Sequence, residues 1–223
     1  MSDGLGDEPL ADGALADQPA RYPVDHSTER YAGTVITVRT DSVRMPDGRY
    51  VERDVVAHPG AVGGIALDED DRVLLVQQYR HPAGHLLWEP PAGLLDVAGE
   101  PPLAAAQREL FEEAGHRAVH WRVLVDLFTS PGSSDETMRI YLARGLTAVA
   151  EDERYAAVDE EADMPVAWLP LDEAVAKILA GELHNPTTVA GVLAAAAART
   201  TGYSGLRLPD AGAVPRPARE VAR

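Results

Sequence analysis

Prolines and glycines leave residues 90–115 little conformational choice. Pro90-Pro91 keeps the backbone extended and excludes a helix. Pro101-Pro102 stands where only the first helical turn tolerates proline, because the amide donors lost there have no partners anyway. Gly115 supplies the stop. A helix is therefore expected over 101–114, and its register sorts the side chains into faces. At about 100° per residue, Leu103, Ala106, Leu110 and Ala114 form one stripe suited to a core. Glu109, Glu112 and Glu113 gather on another face, at i, i+3 and i+4. Like charges at such spacings destabilise an isolated helix by roughly 0.2–0.5 kcal/mol per pair. They also sit near the helix C-terminus, where the macrodipole favours cations, with only Arg108 and Arg117 nearby to relieve them. Two readings are open: a solvated acidic face, or a site for a hard divalent cation, which wants clustered oxygen ligands. Pro91-Ala92-Gly93-Leu94-Leu95 is a permissive loop able to bring a carbonyl to the same ion. A phosphate ester bridged to such ions is a common reason to collect carboxylates in this way.

Around this helix the pattern is mixed. Alternation over 34–44 and 51–57, with Met45-Pro46-Asp47-Gly48 between them, predicts a β-hairpin. Further strands are expected at 60–67, 72–79, 86–89, 122–127 and 138–144, and helices at 171–180 and 186–200. Strands, helix, strands and helices without a regular βαβ repeat imply an α/β (α+β) sandwich around a mixed sheet, preceded by an N-terminal antiparallel hairpin. The expected organisation is an acidic tail at 1–28, a hairpin region at 29–58, one domain at 59–203 and a C-terminal tail at 204–223. The tails are poor in large apolar residues, and 209–223 is expected to be frayed.

Charge narrows the partners. The chain carries 20 basic and 36 acidic residues, a net charge of −16, which disfavours nucleic acid and anionic membrane surfaces. It has no cysteine, so disulfides, thiolate metal sites and thiol nucleophiles are excluded. The longest aliphatic run, 189–198, falls short of the ~18 residues of a membrane helix. The N-terminal stretch has no basic segment followed by an apolar one, so a cytoplasmic protein is expected. His58, His81, His85, His116, His120 and His184 show no metal-ligand spacing. Ser133-Ser134-Asp135 lacks the G-x-S-x-G elbow of a serine hydrolase.

The full stretch Gly93…Glu100-(seven residues)-Arg108-Glu109-Leu110-Phe111-Glu112-Glu113-Ala114-Gly115 closely resembles the signature of the Nudix hydrolases, G-x5-E-x7-R-E-U-x-E-E-x-G-U, where U is bulky and aliphatic. From Glu100 to Gly115 it corresponds position for position. Six residues instead of five separate Gly93 from Glu100, and His116 stands at the last aliphatic position. Gln78-Tyr79-Arg80-His81, Trp88-Glu89 and Ser130-Pro131-Gly132 extend the likeness to the ADP-ribose pyrophosphatase branch, over roughly 32–200. That branch is marked by a proline about sixteen residues beyond the box, the position of Pro131.

The resemblance implies a Nudix-type α/β/α sandwich and Mg²⁺-dependent hydrolysis of ADP-ribose to AMP and ribose 5-phosphate, with Mn²⁺ as a substitute ion. It implies that the Ala92 carbonyl, Glu109 and Glu113 are metal ligands, with Glu112 a further ligand or neighbour. Arg108 would orient the glutamates, and Glu100 would cap the helix start. The water-orienting base would lie in the acidic segment 151–163, at Glu161 or, one residue earlier, Glu160. Arg80 is expected on phosphate or ribose and Glu89 on a ribose, with Pro131 a further substrate-binding position, while Arg39 and Arg53 are candidates for a contact across a homodimer with exchanged N-terminal strands. Other nucleoside diphosphate derivatives (a nucleotide sugar, NADH), a damaged nucleoside triphosphate and a non-catalytic ADP-ribose sensor are the alternatives. The intact glutamates disfavour the sensor.

Overall fold

A computed structural model describes residues 15–153 and 164–214 of the chain. Its N-terminal part is a three-stranded antiparallel sheet of β1 (Val24–Ala32), β2 (Thr37–Arg44) and β3 (Tyr50–Ala57), in that order. The Met-Pro-Asp-Gly turn joins β2 to β3 as expected, with Gly48 N–H donating to the Met45 carbonyl at 2.9 Å. β1 was not expected: it begins at Val24, inside the stretch read from sequence as tail. Its sequence, VDHSTERYA, has no apolar alternation because it is exposed along its whole length. What holds it is the ladder to β2, reinforced by polar cross-links. Ser27 Oγ donates to Asp41 at 2.6 Å, and Arg30 Nε donates to Thr40 Oγ1 at 2.9 Å.

The remainder is a mixed α/β sandwich. β4 (Ala61–Ala66), β7 (Ala92–Leu94), β8 (His116–Phe128) and β9 (Thr137–Ala148) make one sheet in the order β7-β4-β9-β8, in which β4 and β9 run parallel. β5 (Arg72–Arg80), β6 (His85–Glu89) and β10 (Val166–Pro170) make an antiparallel sheet, ordered β10-β5-β6. The helices are α1 (Pro102–Ala114), α2 (Leu171–Leu179) and α3 (Pro186–Arg199). β7 stands where a loop was expected, β8 starts six residues before the predicted 122, and β10 had no sequence counterpart. Among the described residues no helix is long and apolar enough to cross a membrane.

β5 shows why the strands read as continuous apolar runs. Leu74 and Val76 enter a core with Ala106 and Leu110 of α1, while Val73 and Leu75 enter a second core with Leu171 of α2 and Val192 of α3. A strand covered on both faces has no polar side to display. The α1 stripe reads correctly, since Ala106, Leu110 and Ala114 are buried and Leu103 packs against the same cluster. Gly115 ends α1 at φ +60°, a left-handed conformation that favours glycine.

The C-terminal segment differs from the frayed end expected of 209–223, at least as far as residue 214. Arg139 is buried (6% exposed) and donates to both oxygens of Asp126, at 2.7 and 3.1 Å. Its remaining donors reach the carbonyls of Ala211 (2.7 Å) and Gly212 (2.9 Å). A buried guanidinium needs acceptors for its five N–H groups, and the sheet alone does not provide them. Arg207 also binds Asp126 at 2.7 Å, while its carbonyl accepts from Val123 N–H on the edge of β8. Burial alone would raise the Asp126 carboxyl pKa, but the Arg139 and Arg207 bonds outweigh it and hold the group below its usual value. Arg139→Leu is expected to cost about 3 kcal/mol in chemical denaturation, because Asp126 loses its main partner. A depressed folded-state pKa contributes stability above the unfolded value of about 3.9, and that contribution is lost as pH falls through the folded value. The gap between wild type and variant should therefore narrow in acid and stay constant from pH 5 to pH 7.

Candidate active site

Two elements far apart in secondary-structure type, the short strand β7 and helix α1, meet through carboxylates. A Cβ built on Gly93 would lie 1.9 Å from Glu109 Oε1 and 2.3 Å from its carboxyl carbon. Glycine is thus required at 93 by space, and the Glu109 side chain lies directly against the strand, 8% exposed. One residue earlier, Ala92 N–H donates to Glu113 Oε2 at 2.9 Å. The strand backbone therefore fixes two glutamates a helical turn apart.

Arg108 occupies the centre of the remaining acids. Its Nε and Nη2 grip the two oxygens of Glu100, each at 3.0 Å. Its Nη1 donates to Glu109 Oε1 at 2.6 Å and Glu112 Oε2 at 3.0 Å. Hydrogen bonding to Glu100 and the charges of Glu109 and Glu112 push the guanidinium pKa further up, against the opposing effect of burial. In return Arg108 holds the Glu100 carboxyl below its usual value. Glu100 does not cap α1: the N-cap is Pro101, with no side-chain cap, and the Glu100 carboxylate steadies the helix through Arg108 instead. One cation thereby offsets the repulsion that the sequence left unexplained.

Clustered carboxylate oxygens beside a strand backbone suit a hard cation such as Mg²⁺ better than a soft one. Among the described residues no three His, Asp or Glu side chains are already grouped so as to hold a metal ion. Glu109 and Glu113 lie on the strand and Glu112 on Arg108, so the donor set fits an open site completed by substrate or water, not a closed cage.

Arg80 and Glu89, predicted separately, lie together. Glu89 is 3% exposed and accepts from Arg80 Nη2 at 2.6 Å and Nε at 3.0 Å, across the β5–β6 pair. Pro90-Pro91 then connects Glu89 directly to β7. Arg39 binds Asp41 at 3.0 Å and lies 3.9 Å from Asp135. Arg53 is exposed and donates to the Glu52 carbonyl. Pro131 is exposed on the β8–β9 loop, which docks on β3 through Val56 N–H to the Ser133 carbonyl and Asp135 N–H to the Val56 carbonyl. Buried Asp135 also accepts His58 N–H at 2.8 Å. Sequence reasoning does not reveal that joint, whose one local signal is a carboxylate, Asp135, following the Pro131-Gly132 turn. Glu160 and Glu161 lie outside the described residues. The residues flanking that segment are placed: Val149 N–H donates to the Gly115 carbonyl at the end of α1, and Gln77 N–H of β5 donates to the Pro165 carbonyl.

Fold and site together define a protein built on a loop–helix carboxylate box, and residues 57–189 match the NUDIX domain. The chain belongs to this family. It is 49% identical over 193 residues to an ADP-ribose pyrophosphatase of Mycobacterium tuberculosis (strain ATCC 25618 / H37Rv), covering 86% of this chain and 91% of that protein. It is 36% identical over 162 residues to a methanol dehydrogenase activator of Bacillus methanolicus, covering 73% and 85%. A solved structure of an ADP compounds hydrolase superposes with a TM-score of 0.67 at 19% identity, over 84% of this chain and 99% of that one. That last likeness is one of fold.

Gly93→Ala tests the strand–helix contact. The new methyl displaces the Glu109 carboxylate, so any divalent-ion affinity measured by calorimetry is expected to fall about tenfold or more, while the far-ultraviolet circular dichroism stays that of the wild type.

Proposed function

We propose that this protein hydrolyses the diphosphate bond of ADP-ribose, releasing AMP and ribose 5-phosphate. The observation that carries the reading is the seating of Glu109 and Glu113 on the backbone of β7, at Gly93 and Ala92. The relative from Mycobacterium tuberculosis, an ADP-ribose pyrophosphatase matched over most of both chains, supports the substrate. Glu109, Glu113 and the Ala92 carbonyl would hold a divalent ion, Mg²⁺ or in its place Mn²⁺, with Glu112 as a further ligand. When bound, the ion neutralises diphosphate charge as the bond is cut.

The chain's own residues supply the rest. Arg108 keeps the glutamates apart and oriented through its bonds to Glu100, Glu109 and Glu112. Arg80 turns its planar fork to a phosphate or ribose oxygen, exchanging part of its hold on Glu89, which then accepts from a ribose hydroxyl. Glu161, or Glu160 in the adjacent register, takes a proton from water as the water oxygen attacks one phosphorus in line. The bond from that phosphorus to the bridging oxygen breaks, and the other phosphate leaves. The anchoring of Val149 on Gly115 and of Pro165 on Gln77 supports this assignment, since both flanks of the segment end beside α1 or β5.

A homodimer through the N-terminal sheet completes the reading. Tyr22, Val24, Tyr31 and Tyr50 are each at least half exposed on or beside that sheet, a concentration of apolar surface that a second copy would cover. Arg39 and Arg53 lie on the same sheet and would be presented to the partner's site. Sedimentation equilibrium is expected to give twice the chain mass, and a monomer at micromolar concentration would remove this part of the proposal.

Activity is tested with a panel of ADP-ribose, a nucleotide sugar and NADH, measuring AMP release in Mg²⁺. ADP-ribose should be turned over fastest. Glu113→Gln is expected to lose turnover by about a hundredfold or more with the fold retained. Unchanged Mg²⁺-dependent hydrolysis by that variant would refute the assignment. Glu161→Gln should lower kcat by about 10²–10⁴ with little change in Mg²⁺ affinity, and the same loss in Glu160→Gln alone would move the base by one residue.

A further inference from the structure

A recess of about 570 Å³ opens between the β8–β9 hairpin and the turn after α3, at the far end of β4 from Gly93. Val62 pairs with Gly93 at one end of β4, and Leu67 lines the recess just beyond the other, roughly 16 Å away along the strand. Its floor is apolar, from Leu67 and Leu142 of the core beneath α3.

Strand geometry concentrates positive groups on its wall. His120 lies directly opposite Arg144 across the β8–β9 ladder, and Arg122 follows two residues on, on the same side of β8. Arg122 and Arg144 are diagonal neighbours across the ladder, so two guanidinium charges share this face. Arg144 is relieved by Asp71 at 3.3 Å and stacks 4.8 Å over the ring of Tyr203. Tyr203 is held at φ +63°, unusual for a tyrosine, with its hydroxyl donating to Asp71 Oδ1 at 3.1 Å. Arg144, Asp71 and Tyr203 therefore form a fixed wall. Arg122 is different. Its Nη1 donates to the Trp121 carbonyl at 2.9 Å, and among the described residues it has no carboxylate partner, in a chain with 36 acids and 20 bases. His120 likewise has no hydrogen-bond partner among the described residues. Of the lining acids, Asp68 is committed to Arg72 at 2.7 Å and to the backbone N–H groups of Asp70 and Arg72. Glu69 stands exposed on the rim, where its charge opposes extended polyanions.

We infer that this recess is a second ligand site, which takes a small phosphomonoester through Arg122, His120 and Arg144. The volume suits a small molecule, and a guanidinium fork without a carboxylate is matched by phosphate oxygens. The site is separate from the α1 carboxylates and stands whether or not ADP-ribose is the substrate.

The test titrates inorganic phosphate and ribose 5-phosphate into the full chain in excess EDTA, by calorimetry. Without divalent ions the α1 glutamates repel phosphate, and Arg80→Gln removes the remaining phosphate contact proposed at the active site. Saturable binding at one equivalent per chain is expected, weakened about tenfold or more by Arg122→Ala and by His120→Ala, and retained by Arg80→Gln. The thermal midpoint of each variant, expected within about 2 °C of wild type, checks that the fold is kept. Absence of saturable binding by the metal-free protein overturns the inference. So does binding left unchanged by both recess variants, or binding abolished by Arg80→Gln.

Discussion

The carboxylate of Glu109 occupies the space where any side chain at position 93 would lie, and this contact sets how closely α1 can approach β7. The second bond, from Ala92 N–H to Glu113, fixes the rotation of the helix about its axis. Once both are made, the apolar stripe of α1 is directed onto Val62, Val123 and Tyr141, and the acidic face onto the strand edge. Core and site are therefore not independent. The same helix register that buries Leu110 presents Glu109 and Glu113.

Such an arrangement gathers like charge, and Arg108 is what makes it tolerable. A single guanidinium reaches three carboxylates on two sides, with a bidentate grip on Glu100 and single bonds to Glu109 and Glu112. Lysine would supply charge without the planar fork and could not hold Glu100 through two parallel bonds. The one-residue insertion between Gly93 and Glu100 falls in an exposed stretch and leaves this grip intact.

Much of the site was legible because proline, glycine and helical spacing are local signals. Pro101-Pro102 and Gly115 bound α1, and the i, i+3, i+4 spacing puts the three glutamates on one side of it. What escaped depends on partners distant in sequence. β1 is a polar strand, recognisable only through Asp41 and Thr40 on its neighbour. The order of residues 207–212 depends on Arg139, about seventy residues away, whose unpaired donors no local pattern reveals. Glu100 looked like a cap because it precedes a helix, yet its partner lies two turns along. The choice between Glu160 and Glu161 rests on a one-residue register that composition does not encode.

The docking of Arg207 on Val123 has a consequence for how the chain is made. β8 is an edge of the β7-β4-β9-β8 sheet, and the Arg207 carbonyl pairs with it from outside. Until residues 207–212 have been synthesised, the Val123 backbone N–H lacks this acceptor and Arg139 lacks its two carbonyl acceptors. An unprotected edge is a template for pairing with another chain. The segment whose composition reads as a tail thus arrives after the strand it covers, and it shuts an edge through which nascent copies would otherwise associate.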